Sequence, residues 1–265
     1  MIAGLLKAAW TYRFYIGSSI RTDFLARVAR SRLGLFWIIL SPLAQVAIYA
    51  LVLSSLMTAR LPGLDTPFAY SIYLLAGFAV WFLFIEIVMR STTVFIDHAN
   101  ALKKIAFPRV VLPVVVAGSA MISNLIYLAI MLVAFALLGH WPGWGIAWLI
   151  VLVPLSAALS IGLGLILGVL NTFMRDIGHA VAILIQFGFW LTPILYTPDI
   201  LPEPIRPLLM LNPLYWLLGA YRDVLVFDRT PDLLALAGLA VLAVALLALA
   251  LTLFRRSSGE MVDVL

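Results

Sequence analysis

Cysteine is absent from the 265 residues, which excludes a disulfide framework, a thiolate nucleophile and any cysteine-held metal. Charge is scarce: Asp, Glu, Lys and Arg make up 11% of the chain, against about 25% in a soluble domain. Histidine occurs three times, at His98, His140 and His179, and no carboxylate cluster stands beside any of them at ligand spacing. A GxSxG turn is missing, as is a GxxxxGKS/T phosphate loop, so neither a hydrolase serine nor bound nucleotide is expected here. The chain is therefore expected to have no catalytic residue, no metal and no cofactor of its own. Internal repeats of about 20–50 residues are missing too. So is the pattern of a cleavable signal peptide, because Lys7, Arg13, Arg21, Arg27, Arg30 and Arg32 crowd residues 1–32 and no short apolar core ends in small residues.

Apolar residues make up 65% of the chain. A soluble core of this size cannot hide them, so the solvent they face is lipid. Six runs approach or exceed the roughly 20 residues that cross a bilayer: 34–57, 70–95, 110–138, 146–170, 179–197 and 232–254. With both termini in the cytoplasm, thirteen of the seventeen Lys and Arg residues fall inside. Only Arg60, Arg206, Arg222 and Arg229 fall outside, the imbalance that the positive-inside rule favours. Ahead of the first run, Leu6, Trp10 and Phe14, then Ile16, Ile20, Phe24 and Val28, form rows spaced by four with arginines beside them. That pattern suits a helix lying along the cytoplasmic interface, with anionic lipid against its arginines. The section 193–213 holds six of the fourteen prolines, a density no continuous helix survives. Apolar pattern resumes at Leu214–Val226, so a short helix pair that dips into the outer leaflet and returns is expected, since broken backbone is tolerated at membrane depth only against protein or water. The fold class expected is an all-α polytopic membrane protein. It is a single domain over 1–265, with an interface helix in 1–32, a membrane region over 34–254 and a cytoplasmic tail over 255–265.

Intramembrane charge usually marks a pathway, and only the second run carries any. Glu86 and Arg90 are four residues apart, a spacing that makes them a helical ion pair. A chain of titratable groups, the signature of an ion-coupled carrier, is lacking, as are the clustered acids that an enzyme acting on lipid-linked sugars would need. Aromatic residues are plentiful. HWPGWGIAW at 140–148 reads as an outer-leaflet anchor. Tyr49, Trp81, Tyr127, Trp190, Tyr196 and Tyr215 are the candidates for lining a conduit, where flat amphipathic rings suit the apolar faces of sugars.

The stretch HANALKKIAFPRV, 98–110, breaks the apolar pattern between the second and third runs. Pro108 ends a short helix, and Phe107 stands beside Lys103, Lys104 and Arg109. Two readings fit these residues: a positive-inside loop on anionic lipid, or a docking element for a soluble partner. NTFMRDIGH, 171–179, interrupts the pattern again on the same side and carries Arg175 and Asp176.

Five segments in order resemble the type-2 ABC-transporter permeases that export polysaccharides, most of all the O-antigen export permeases. They are RSRLGLFWIILSPL (30–43), HANALKKIAFPRVVLP (98–113), LNTFMRDIGH (170–179), TPILYTPDILPE (192–203) and NPLYWLLGAYRDVL (212–225). The tail RRSSGEMVDVL keeps the acid-then-apolar finish with less apolar content. The resemblance implies a homodimer that pairs with two cytoplasmic ATPase subunits, which carry ATP and magnesium, and moves a lipid-linked glycan across the inner membrane of a Gram-negative bacterium. It makes Asn100, Lys103, Lys104, Phe107, Pro108 and Arg109 the coupling helix that the ATPase receives, with Arg175 and Asp176 as a second contact. The section 193–226 would be re-entrant helices capping the channel. Capsule and teichoic-acid exporters share this architecture; nucleic acid has no part in it.

Overall fold

A computed structural model describes residues 12–29, 68–104 and 111–264, with the isolated positions 36, 40, 43, 44, 47 and 48. Among the described residues every regular element is helical. Helix α1, Arg13–Ala29, carries Phe14, Ile16, Ile20, Phe24 and Val28 of the expected apolar rows; Leu6 and Trp10 lie outside the described residues. Four helices are long and apolar enough to cross a bilayer: α2 (Ala69–Asp97), α4 (Val111–Leu137), α5 (Leu149–Phe173, extended at its start by the 3-10 turn Gly143–Trp148) and α9 (Leu233–Ser257). Their bounds lie within a few residues of the runs at 70–95, 110–138, 146–170 and 232–254. The first run, 34–57, lies almost wholly outside the described residues. The fifth is shorter than expected. Helix α6, Asp176–Leu191, has 16 residues, or about 24 Å of rise against a hydrocarbon core of about 30 Å. It stops because Pro193 follows its last turn and denies it a further backbone donor.

The remaining helices are short. Helix α3, Ala99–Lys104, follows α2 after a break at His98; α7, Arg206–Met210, lies within the proline-rich section and α8, Pro213–Leu225, starts at its end; and α10, Glu260–Val264, ends the described chain. Helix α2 is the hub. It packs on α4, α5, α6 and α8, and 72% of its most apolar window is buried, against 22% for α9. Helix α9 buries one stripe, Leu236, Leu239, Ala243, Ala250 and Phe254, and turns Leu234, Val241 and Val244 outward, as a lipid-facing span should.

Apolar burial drives helices together only weakly in lipid, so close approach through small residues matters more. At Gly168 of α5, a Cβ would stand 2.4 Å from the Ser91 carbonyl oxygen of α2. Backbone on both sides leaves no flexible end to give way. Gly168→Ala is therefore expected to force the two helices apart at a cost of about 1–3 kcal/mol. Gly238→Ala in α9, where a Cβ meets nothing within 4 Å, should gain helix propensity instead. Thermal melting of the two detergent-solubilised variants should move in opposite directions.

Helix α1 lies against α4. The Ile20 side chain occupies the room that Gly118 leaves, where a Cβ would come within 2.4 Å of Ile20 Cδ1. Polar groups then fix the contact, and these belong to the functional site.

Candidate functional site

The polar stretch 98–110 begins where α2 ends. The His98 amide donates to Val94 O at 3.2 Å, and its ring Nδ1–H reaches the same oxygen at 2.9 Å, so the histidine closes one helix before the next begins. Helix α3 buries Leu102 in a second apolar cluster with Phe95, Phe254 and Met261. Phe95 and Phe254 stack at 5.6 Å. With Leu102 as its root, α3 leaves Asn100 and Lys103 exposed. Lys104 is its last residue; Phe107, Pro108 and Arg109 lie outside the described residues. The second polar interruption comes to the same end of the bundle. Asn171 donates through Nδ2 to Thr92 O, at 2.9 Å, in the last turns of α2. Its Oδ1 accepts from the Gly178 amide at 2.8 Å, tying the turn that exposes Arg175 and Asp176 to the root of α3. Helix α10 packs on both α3 and α5.

Four charges fasten α1 to this end. Arg90 of α2 makes a two-oxygen contact with Asp23 of α1 at 2.6 and 2.8 Å, and Arg27 of α1 bonds Glu86 of α2. The Ser119 hydroxyl of α4 donates to Asp23 and accepts from Arg27 and Arg90. The Glu86–Arg90 pair read from sequence is present at 3.5 Å but is the looser contact; the short bonds run between helices. Burial raises the Asp23 carboxyl, yet the hydrogen bonds from Ser119 and Arg90 and the charges of Arg90 and Arg27 outweigh it and hold the group below the usual carboxylate range.

At the far end of α2 a different problem is solved. Prolines 193, 198, 202, 204, 207 and 213 break the ladder and free carbonyls that have no helical partner. Arg222 of α8, 5% exposed, donates through Nη1 to Pro193 O at 2.7 Å and through Nη2 to Ile194 O at 2.8 Å. The Tyr70 hydroxyl takes Leu195 O, and that of Tyr73 reaches Tyr196 O at 3.4 Å. The guanidinium also lies 3.5 Å from the centre of the Tyr73 ring. Asn212 caps α8 through the Leu214 amide and bonds Thr192. Sequence reasoning assigned Arg222 only to a motif and to one side of the membrane. Its signal was a single cation, with Asp223 beside it, in a largely apolar helix just downstream of a proline-rich break. Tyr70 and Tyr73 stand in the first turns of α2 and α3 follows its last, so the two ends are ~40 Å apart.

The candidate aromatics distribute over these surroundings. Trp81 is buried against Phe84 and Phe189, at 5.9 and 5.6 Å. Tyr127 is buried edge-on to Phe82, its hydroxyl donating to Leu75 O at 2.9 Å. Trp190 is exposed, and its carbonyl accepts from the Tyr196 hydroxyl at 3.0 Å. Tyr215 is half-buried and meets Trp216 edge to face at 5.4 Å; Tyr49 is outside the described residues. The connection from α4 to α5 exposes Trp141 and Trp144, while His140 Nε2–H donates to Leu225 O at 2.8 Å and holds that connection to α8. Among the described residues no three of His, Asp or Glu gather as metal ligands would.

Comparison with known proteins places the chain in a family. The family model for ABC-2 type transporters matches residues 16–226. The O-antigen export system permease protein RfbA of Myxococcus xanthus is 29% identical over 261 residues, 98% of each chain. RfbA of Klebsiella pneumoniae is 29% identical over 206 residues, 76% of each. The polysialic acid transport protein KpsM of Escherichia coli is 26% identical over 247 residues, 91% of each. With the family match spanning α1 to the end of α8, the chain belongs to the ABC-2 type transporter family.

Proposed function

We propose that this chain is the membrane subunit of an ATP-driven exporter that carries a lipid-linked polysaccharide, of the O-antigen kind, from the cytoplasm across the inner membrane. The observation that carries the reading is similarity over 98% of both chains to an O-antigen export permease. Two copies pair with two cytoplasmic ATPase subunits, and hydrolysis takes place on those subunits. The chain crosses six times with both termini inside; the section 193–226 is re-entrant on the periplasmic side. Asn100, Lys103, Lys104, Phe107, Pro108 and Arg109 form the coupling segment, supported by Arg175 and Asp176. The exposure of Asn100, Lys103, Arg175 and Asp176 at one end of the bundle, beside the fastened interface helix, supports a platform for a partner there. Of the six candidate aromatics, Trp190, Tyr196 and Tyr215 are the ones with surface to offer the glycan, with Tyr49 a further candidate, whereas Trp81 and Tyr127 are buried within the bundle.

Capsule export is a second reading, supported by the 26% identity to KpsM over 91% of each chain. Both readings place the motor on a separate chain. Changing Lys103, Lys104 and Arg109 together to glutamate is expected to abolish co-purification of the ATPase and to reduce export at least tenfold, while the permease still inserts. Normal assembly and normal export would sink the docking assignment. Export into vesicles by the purified permease without any ATPase would sink the whole reading.

A further inference from the structure

The proline-rich section, α8 and the start of α9 enclose a cavity of about 450 Å³, within the roughly 300–1,000 Å³ usual for small-ligand sites. Its walls divide by chemistry. Tyr215, Trp216 and Phe227 supply ring surface; Asp223, Asp232 and Arg229 supply charge. The Trp216 N–H is already used, donating to Met210 O at 2.9 Å, so apolar ring is what this side chain has left to offer a ligand. Asp232 caps α9 by accepting the Leu234 and Ala235 amides through Oδ1, which leaves Oδ2 as an acceptor. Asp223 keeps both carboxylate oxygens free of hydrogen-bond donors among the described residues, while its backbone carbonyl accepts from the Arg229 amide at 2.7 Å and folds Arg229 against it.

The charge balance narrows the occupant. Three carboxylates, Asp199, Asp223 and Asp232, face the cavity. Arg206 approaches Asp199 only at 3.9 Å. The Arg222 guanidinium also borders the space, but its two terminal nitrogens are committed to the carbonyls of Pro193 and Ile194. Arg222 keeps its charge, so among the described residues of the wall two cations, Arg222 and Arg229, stand against three carboxylates; Arg229 leans toward the Phe227 ring, 5.5 Å from its centre. Spare carboxylate acceptors beside aromatic faces match a ligand that carries many hydroxyl donors on a ring with apolar faces. They oppose a ligand that brings carboxylates of its own.

We propose that this cavity is a binding subsite for uncharged sugar residues, selective against acidic ones such as sialic acid. The assignment rests on the glycan-export reading and sharpens it: the glycan that passes this end of the molecule is neutral along its repeat. No metal is called for, and no bond is made or broken.

Saturation-transfer-difference NMR on the purified permease in lipid nanodiscs tests the proposal. The probes are mannotriose, maltotriose and tri-N-acetylchitotriose as neutral sugars, and the sialic acid trimer as the acidic one. Wild-type protein should transfer saturation to at least one neutral trisaccharide and not to the sialic acid trimer. Asp223→Asn, isosteric and expected to melt as wild type, and Trp216→Leu should each cut the transfer at least fivefold. Absence of transfer to all three neutral probes overturns the proposal. So does undiminished transfer in both variants, or transfer to the sialic acid trimer equal to that of the neutral probes. Export of surface glycan by cells carrying the wild-type permease and its ATPase is measured in parallel. If export is present and the neutral-sugar signal is not, the subsite alone falls; if export is lacking as well, the export reading falls with it.

Discussion

Replacing Arg222 with leucine is expected to leave little or no monodisperse permease in detergent extracts, although the substitution lies in a helix that already reads as apolar. On hydropathy alone the change should be harmless or favourable. The hydrogen bonds decide otherwise. Two consecutive carbonyls, of Pro193 and Ile194, are served by the two arms of one guanidinium at 2.7 and 2.8 Å, and no backbone amide can replace it where prolines have broken the ladder. Each bond to a charged donor is worth about 1.5–3 kcal/mol, and each buried acceptor left alone costs about 1–3 kcal/mol. The gain from burying leucine, about 1.5–3 kcal/mol, is smaller than two such losses together. Arg222→Lys separates charge from geometry. Lysine keeps the cation but lacks the planar fork that meets two acceptors at once, so an intermediate melting temperature is expected. Tyr70→Phe and Tyr73→Phe each remove one donor, to Leu195 O and Tyr196 O, and should cost about 1 kcal/mol apiece. Size-exclusion profiles and melting curves that rank leucine below lysine, and lysine below either phenylalanine variant, would match this account. A leucine variant that melts with the wild type would remove Arg222 from it.

Why the sequence revealed some of this and not the rest follows from the range over which each signal acts. The spans at α2, α4, α5 and α9 were legible because an uninterrupted apolar run needs no knowledge of its neighbours. That the chain breaks somewhere in 193–213 was legible from proline alone. The length of α6 was less so: hydropathy continues through Thr192–Leu195, but the backbone ladder does not, and the helix ends with the ladder. The burial of Trp81 and Tyr127 could not be read, because which face of an almost wholly apolar helix points inward is set by the helices around it. The fastening of α1 was half legible. Asp23 and Arg27 are four residues apart, as are Glu86 and Arg90. Each spacing announces a pair within its own helix, and the stronger bonds run between the two, across 59 to 67 residues of chain. Two opposite-charge pairs of equal spacing and the same order are the only trace such a cluster leaves in sequence.

That cluster carries the second large effect. Asp23→Asn is expected to release α1 from the bundle and to speed tryptic cleavage after Arg21 and Arg27 by tenfold or more, while α2, α4 and α5 stay protected. Removing the one carboxylate leaves Arg27 and Arg90 sharing Glu86, and exposes the Ser119 hydroxyl to two cations with no anion to receive its proton. The sign of the pH dependence follows from the direction of the Asp23 shift. Its carboxyl is held below the ordinary carboxylate range in the folded protein, so the stabilisation is fully present above that range and is lost as pH falls through the lower folded value. Protection of α1 should therefore be flat across neutral pH and decline only in acid, whereas Asp23→Asn should be unprotected throughout. A reciprocal exchange, Asp23→Arg with Arg90→Asp, distinguishes the bonds between helices from those within them. It preserves opposite signs at the 23–90 and 27–86 contacts but places like charges four apart on each helix. Bonds to charged partners between helices are worth about 1.5–3 kcal/mol, against about 0.3–0.5 kcal/mol for an exposed pair four apart. The double variant should therefore recover most of the protection that either single variant, Asp23→Arg or Arg90→Asp, has lost. Single variants as well protected as the wild type would mean that α1 is held by Ile20 against Gly118 and not by the charges, and the fourfold contact of Asp23, Arg27, Glu86 and Arg90 would then be a consequence of the docking and not its cause.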